Sequence, residues 1–219
     1  ADGSFLGNFS GELDGNGLTI REISGAPLFD RLSGIVKNLK VTDVTVERWK
    51  SDQGANALAK SLQNAKVSRL QLKNILLAGG DNTGALAGTA QNTTISEVWA
   101  EGLNINPYGP AFAGKTDLMV GGLIAQLNGG VHVNDSYAGG EITVRSNTQG
   151  GVFGYNNYET ENTVKQVVSN MRTKSTSPQT DGAGFIGMVG FDGSMATWME
   201  NNIAIGEAGE NRAQGSVGE

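Results

Sequence analysis

The 219-residue sequence has no cysteine and a single histidine, His132. The first absence removes disulfides, thiolate nucleophiles and thiolate metal ligands together. The second removes the paired histidines of a zinc-protease helix and the Cys/His sets of structural zinc sites, so self-contained zinc chemistry is excluded. Positive charge is scarce: 16 Lys and Arg stand against 22 Asp and Glu, a net charge of -6. Nucleic acid is not an expected partner, because binding its backbone relies on clustered cations. No apolar run approaches the ~20 residues that cross a bilayer. Nothing near Ala1 combines a basic start with an apolar stretch, so neither a signal peptide nor membrane insertion is expected. Only four prolines occur, and no Gly-X-Y period, which excludes collagen.

Glycine is abundant, 33 residues, accompanied by 20 asparagines and by 16 Val, 11 Ile and 16 Thr. β-Branched residues favour strands, and Gly and Asn tolerate the positive φ angles of tight turns. The mixture predicts many short strands joined by turns.

A repeat organises them. One segment recurs as Ala57-Leu58-Ala59, Ala85-Leu86-Ala87, Gly122-Leu123-Ile124, Gly151-Val152-Phe153 and Gly184-Phe185-Ile186, with Leu28-Phe29 as a weaker first copy. About ten residues after each comes a second segment with small or apolar residues at offsets 0, 3 and 5. Its copies begin Val36-Leu39-Val41, Val67-Leu70-Leu72 and Ile95-Val98-Ala100, and continue through Val133-Ser136-Ala138, Val164-Val167-Ser169 and Met199-Asn202-Ala204. Offset 7 is often Asp, Asn or Gly, as at Asp43, Asn74, Gly102, Gly140 and Gly206. A third alternating stretch follows in several copies, for example Val44-Thr45-Val46, Leu103-Asn104-Ile105 and Ile142-Thr143-Val144.

Three short strands per unit of about 30 residues describe one coil of a β-solenoid. Helical repeats fit poorly, since glycine pairs would interrupt every helix at ~1 kcal/mol per glycine. Residues 51–66 could pass as a helix alone, but their in-register match to 83–95 argues for strand. The expected fold is all-β: a right-handed parallel β-helix of about six coils, 25 to 30 Å long. Residues 1–27, with the turn signal Asp14-Gly15-Asn16-Gly17, are expected to form an N-terminal hairpin that closes the solenoid. Residues 28–207 form the coils, and 208–219 a polar tail toward a following domain. In such a coil Leu58, Leu86, Leu123, Val152 and Phe185 stack as one inward column, and Val36, Val67, Ile95, Val133 and Val164 as another.

At these residues the sequence resembles a known repeat. The run Phe9-x-Gly11-x-Leu13-Asp14-Gly15-x-Gly17-x-Thr19-Ile20, followed by Leu28-Phe29-x-x-Leu32-x-Gly34-x-Val36-x-Asn38-Leu39-x-Val41, is similar to the glycine-rich GLUG repeats of bacterial surface proteins. Such repeats also precede the catalytic domain of streptococcal zinc metallopeptidases that cleave immunoglobulin A. The resemblance implies a non-catalytic module of a large secreted or cell-wall-attached Gram-positive protein. Zinc is then expected only in a catalytic domain elsewhere in the parent chain, and no cofactor in this fragment. The partners implied are a protein substrate, namely the immunoglobulin A heavy chain, and the other domains of the parent. The family's His-Glu-x-x-His has no match, so no catalytic residue carries over. Residues 150–219 drift from the pattern, notably at Tyr155–Asn162 and Ser175–Asp181.

Offset 4 of the second segment lies between inward positions and should face outward. That column reads Lys40, Gln71, Trp99, Tyr137, Val168, Ile203, so Trp99, Tyr137, Val168 and Ile203 form an apolar stripe. Exposed apolar stripes with aromatic anchors mark contact surfaces. The alternative is that the insertion Asn106–Leu118 folds over Trp99 and Tyr137 and buries them. His132 and Asp135 could form half of a general-base pair, yet no nucleophile or second base accompanies them, so His132 reads as a surface residue. Asp14-Gly15-Asn16 resembles the start of a calcium loop, but the glutamate required eleven residues on is Gly25. Glu159 and Glu161 are expected as loop charges.

Three functions remain: a substrate-positioning scaffold of an immunoglobulin A-cleaving protease, a repeat module of a surface adhesin, or a polysaccharide-active β-helix enzyme. The last needs paired acids on one face, which the sequence does not display.

Overall fold

The computed structural model describes residues 4–48, 54–106, 118–144, 148–157, 161–175, 184–189 and 197–205. They wind into seven successive rungs. The first holds β1 (Asn8–Phe9), β2 (Glu12–Asp14) and β3 (Thr19–Ser24). The second holds β4 (Phe29–Leu32) and β5 (Ile35–Glu47), and the third β6 (Ala59–Gln63) and β7 (Lys66–Ala78). The fourth comprises β8 (Thr83–Gly84), β9 (Ala87–Gln91) and β10 (Thr94–Ile105). The fifth comprises β11 (Met119–Gly121), β12 (Ile124–Leu127) and β13 (His132–Val144). The sixth is β14 (Thr148–Gly150), β15 (Phe153–Asn156) and β16 (Asn162–Ser175), and the seventh β17 (Ile186–Val189), β18 (Thr197–Glu200) and β19 (Ile203–Ala204).

Strands of successive rungs pair in parallel. One sheet runs β1-β4-β6-β9-β12-β15-β17. A second runs β18-β16-β13-β10-β7-β5-β2, with β3 also on β5 and β19 also on β16. A third, short sheet runs β14-β11-β8. This is a parallel β-solenoid, about 29 Å along its axis for six rises of ~4.8 Å. The expected inward columns are present: Val36, Val67, Ile95, Val133 and Val164 are register partners in turn, and all are buried. Leu86 donates its backbone N–H to Leu123, Leu123 to Val152, and Val152 to Phe185, which stacks the other column.

Two features differ from expectation. The described residues make seven rungs where about six coils are expected, because residues 4–27 add a rung of their own and do not form a closing hairpin. β2 and β3 do not pair with each other; each lies parallel to β5, through Leu13 on Val36 and Ile20 on Val41. The Asp14 carboxylate caps this bend, accepting the Asn16 backbone N–H at 2.9 Å and the Asn38 side-chain amide at 2.9 Å, so the turn signal makes a corner. The polar tail from 206 onward lies outside the described residues.

In the second to fourth rungs the second and third segments form one continuous ladder, bent at two corners. The first corner residue is Asn38, Arg69, Glu97, Asp135, Gln166 and Asn201 in successive rungs, every one with φ between 49° and 55°. The second is Glu22, Asp43, Asn74 and Gly102, with φ between 55° and 65°. A left-handed residue adds one position without continuing the pleat, so the strict period of two slips by one at each corner. That is why inward residues fall at offsets 0, 3 and 5 and resume at 8 and 10, as in Val36, Leu39, Val41, Val44 and Val46, all buried.

Candidate functional site

Register places the outward column as expected: Lys40 pairs with Gln71, Gln71 with Trp99, Trp99 with Tyr137, Tyr137 with Val168 and Val168 with Ile203. Trp99 is 50% exposed and Ile203 52%, while Tyr137 and Val168 are half-buried. The Trp99 and Tyr137 rings stack with centroids 4.2 Å apart and planes 15° from parallel. Both lean along their strands: the Trp99 indole N–H donates to Glu101 Oε2 at 3.3 Å, and the Tyr137 ring lies over Gly139. A Cβ at Gly139 would stand 2.8 Å from two carbons of that ring, so only glycine lets the tyrosine lie down. The Tyr137 hydroxyl accepts the Asn170 side-chain amide at 3.2 Å. The insertion offered as a cover for this pair lies, between 107 and 117, outside the described residues.

The repeat breaks beside this pair. Ala100 faces Ala138, but Leu103 faces Gly140, so Glu101 and Gly102 on β10 oppose Gly139 alone on β13. The fifth rung is thus one residue short at the second corner. Gly140 is the partner of Leu103 and not of Gly102, which corrects the offset-7 series read from the sequence. Beta bulges of this kind re-aim side chains and concentrate next to functional sites. Beside the step lies an open groove of about 720 Å³, lined by Gly102, Leu103, Asn104, Gly140, Glu141, Asn170, Arg172 and Ile205.

The charges of that lining are organised. Glu141 accepts the Thr143 hydroxyl at 3.0 Å, and the Lys174 ammonium lies 3.4 Å from the same oxygen. Arg172 Nη1 stands 4.0 Å from its other oxygen. The Thr143 hydrogen bond, followed by the attraction of Lys174, holds the Glu141 carboxyl below its usual range and therefore ionised.

The remaining candidates disperse. His132 is exposed and its Nδ1 lies 2.7 Å from the Thr163 hydroxyl, whereas Asp135 sits at the first corner and accepts the Asn134 side-chain amide at 2.7 Å. The general-base pairing thus has no geometric support. Glu159 lies outside the described residues, and Glu161 is an exposed residue whose backbone carbonyl accepts the Gly130 N–H. Among the described residues no three His, Cys, Asp or Glu side chains gather where they could hold a metal ion. No helix among them is long and apolar enough to cross a membrane.

The fold and the outward stripe define a parallel β-solenoid that carries a partly exposed apolar file on its second sheet. No family model matches the chain. It is 35% identical over 148 residues to the immunoglobulin A1 protease of Streptococcus sanguinis, covering 66% of this chain and 7% of that protein. It is 30% identical over 148 residues to that of Streptococcus pneumoniae, covering 67% and 7%. The chain is therefore homologous to a short segment of the streptococcal immunoglobulin A1 proteases. A crystal structure of a Bacteroides ovatus protein provisionally named an immunoglobulin A1 protease shares the fold, with a TM-score of 0.60 at 15% identity, over 92% of this chain and 66% of that one.

Proposed function

We propose that this solenoid is a non-catalytic module of a secreted or wall-attached bacterial immunoglobulin A-cleaving metallopeptidase, and that it positions the protein substrate for a catalytic domain elsewhere in the parent. The single observation that carries the reading is the outward file Trp99, Tyr137, Val168, Ile203, in register from rung to rung along the axis, with Trp99 50% and Ile203 52% exposed. A parallel solenoid suits the task, since its rigidity fixes the distance between an anchored substrate and whatever is attached at either end. Homology to segments of immunoglobulin A1 proteases supports the choice of partner, the immunoglobulin A heavy chain. Zinc belongs to the catalytic domain of that parent, and no step of its chemistry is assigned to the residues described above.

The test is the double variant Trp99→Ser, Tyr137→Ser, assayed for binding to immunoglobulin A by surface plasmon resonance and for thermal stability. Loss of binding with a melting temperature within a few degrees of the parent chain supports the contact surface. Retained binding, or no binding by the parent chain joined to its neighbouring domains, refutes it.

A further inference from the structure

We infer that the N-terminal end of the solenoid pairs with a second copy of this chain, β3 lying antiparallel on its partner's β3 about a twofold axis. The inference is independent of the protein-docking reading above, because it concerns the edge of the first rung and not the stripe.

The first rung is built as an interior rung. Leu13 stands in register with Val36, Ile20 with Val41 and Ile23 with Val44, all on inward positions. A terminal repeat keeps a solenoid soluble by turning a polar face to water. This one leaves Phe5 57%, Leu6 54% and Leu18 70% exposed, with Phe9, Leu13 and Ile20 only half-buried against the core. Among the described residues β1, β2 and β3 each pair on one side alone, and such edges are templates for another chain.

β3 carries its own complement. Because Glu22 is left-handed, with a φ of 61°, the side chains from Thr19 to Ser24 point outward, inward, outward, outward, inward and outward. That order reads the same in both directions. An antiparallel copy with Arg21 opposite Glu22 therefore sets Ile20 on Ile23 and Thr19 on Ser24, inward on inward and outward on outward, with the two bends together. A straight strand of this length alternates strictly and does not match its own reverse in that register.

The charges select the same register. Arg21 and Glu22 are exposed, and among the described residues neither has an ion-pair or hydrogen-bond partner. Asp43, at the equivalent corner of the second rung, accepts the Asn74 amide and the Thr42 hydroxyl instead. The acids of β2, Glu12 and Asp14, are both held by Lys37. Twofold pairing makes the Arg21–Glu22 contact twice, once from each chain. A slip of one residue in either direction would oppose Arg21 to Arg21 or Glu22 to Glu22, and like charges directly opposite destabilise a pair of strands.

Sedimentation velocity of the 219-residue chain, from micromolar to millimolar concentration, tests the inference. A concentration-dependent dimer is expected. Arg21→Glu and Glu22→Arg should each weaken it by about tenfold or more, and the two reversals combined should restore it, with the far-ultraviolet circular dichroism unchanged throughout. Lys66→Glu, on the third rung, should associate as the parent does. Since the chain has no cysteine, introduced thiols report the register directly: under mild oxidation Thr19→Cys chains should cross-link to Ser24→Cys chains. A chain that stays monomeric at millimolar concentration, single reversals without effect, or a double reversal that stays weak would each overturn the assignment. So would Thr19→Cys chains that join one another in preference to Ser24→Cys, which would place a parallel strand on this edge.

Discussion

The two-corner rule makes a quantitative statement about Asn74, the second corner of the third rung. Its φ is 55°, and its side-chain amide donates to Asp43 Oδ1 at 3.0 Å. Asn74→Gly and Asn74→Val both delete that exposed hydrogen bond, at about 0.5–1 kcal/mol. They differ in the backbone. Glycine adopts the left-handed region freely, whereas an ordinary L-residue pays about 1–2 kcal/mol there and a β-branched one more. The chain could escape the strain by letting residue 74 extend, but the pleat would then turn Ile75 and Leu77 outward. Those side chains are 1% and 0% exposed, and uncovering each costs about 1.5–3 kcal/mol. The escape therefore costs about 3–6 kcal/mol against about 2 for the strain, and the valine should be held in the strained conformation. Urea melts followed by far-ultraviolet circular dichroism should place Asn74→Val at least about 1.5 kcal/mol below Asn74→Gly. Equal midpoints for the two variants would show that the left-handed geometry does not set the parity of the strand.

Other perturbations probe other links. Leu86→Ala opens a cavity between Leu58 and Leu123 in a fully buried column and should cost about 2–5 kcal/mol in the same melts. Gly139→Ala should lift Tyr137 off its strand and abolish the near-ultraviolet exciton signal of the Trp99–Tyr137 pair, as Tyr137→Ala does, with the far-ultraviolet spectrum unchanged. Asp14 and Asp43 are held below the ordinary aspartate value of ~3.9, first by the side-chain amides of Asn38 and Asn74 respectively. A depressed folded value means stability that is complete above the unfolded value and is lost as pH falls through the folded one. Melting temperature should therefore decline below about pH 4, and less steeply in Asp43→Asn, which carries no such linkage.

Much of this molecule was legible in one dimension because a solenoid translates sequence offset directly into position. Leu86 and Leu123 share a column for the same reason that they share a place in the repeat, and the outward file of Trp99 and Tyr137 followed from counting pleats between inward residues. The first rung was missed since Asp14-Gly15-Asn16-Gly17 specifies a reversal of φ, not the partner of the strands on either side. Both a hairpin and a solenoid corner need that reversal. What decides between them is β5, whose Val36 and Val41 can each receive a strand of the preceding rung, and such long-range pairing is invisible in a four-residue window.

The register shift was illegible for the converse reason. Repeat alignment rewards similarity, and Gly140 resembles Gly102 closely enough to be counted as the next member of its series. Measured from the inward residues instead, five positions separate Ala100 from Ile105, while four separate Ala138 from Ile142. That missing residue is the whole signal for the register shift, and it acts through geometry alone. Gly140 is drawn into register with Leu103, the corner disappears from the fifth rung, and Asn104 comes to face Glu141. A residue lost from a surface loop would have left the core untouched; lost from a corner, it had to be absorbed by the ladder. The solenoid therefore carries its regular positions as scaffold and the step between its fourth and fifth rungs as a place where side chains are re-aimed, and a search for sites in such repeats should count the intervals between buried residues before comparing the residues themselves.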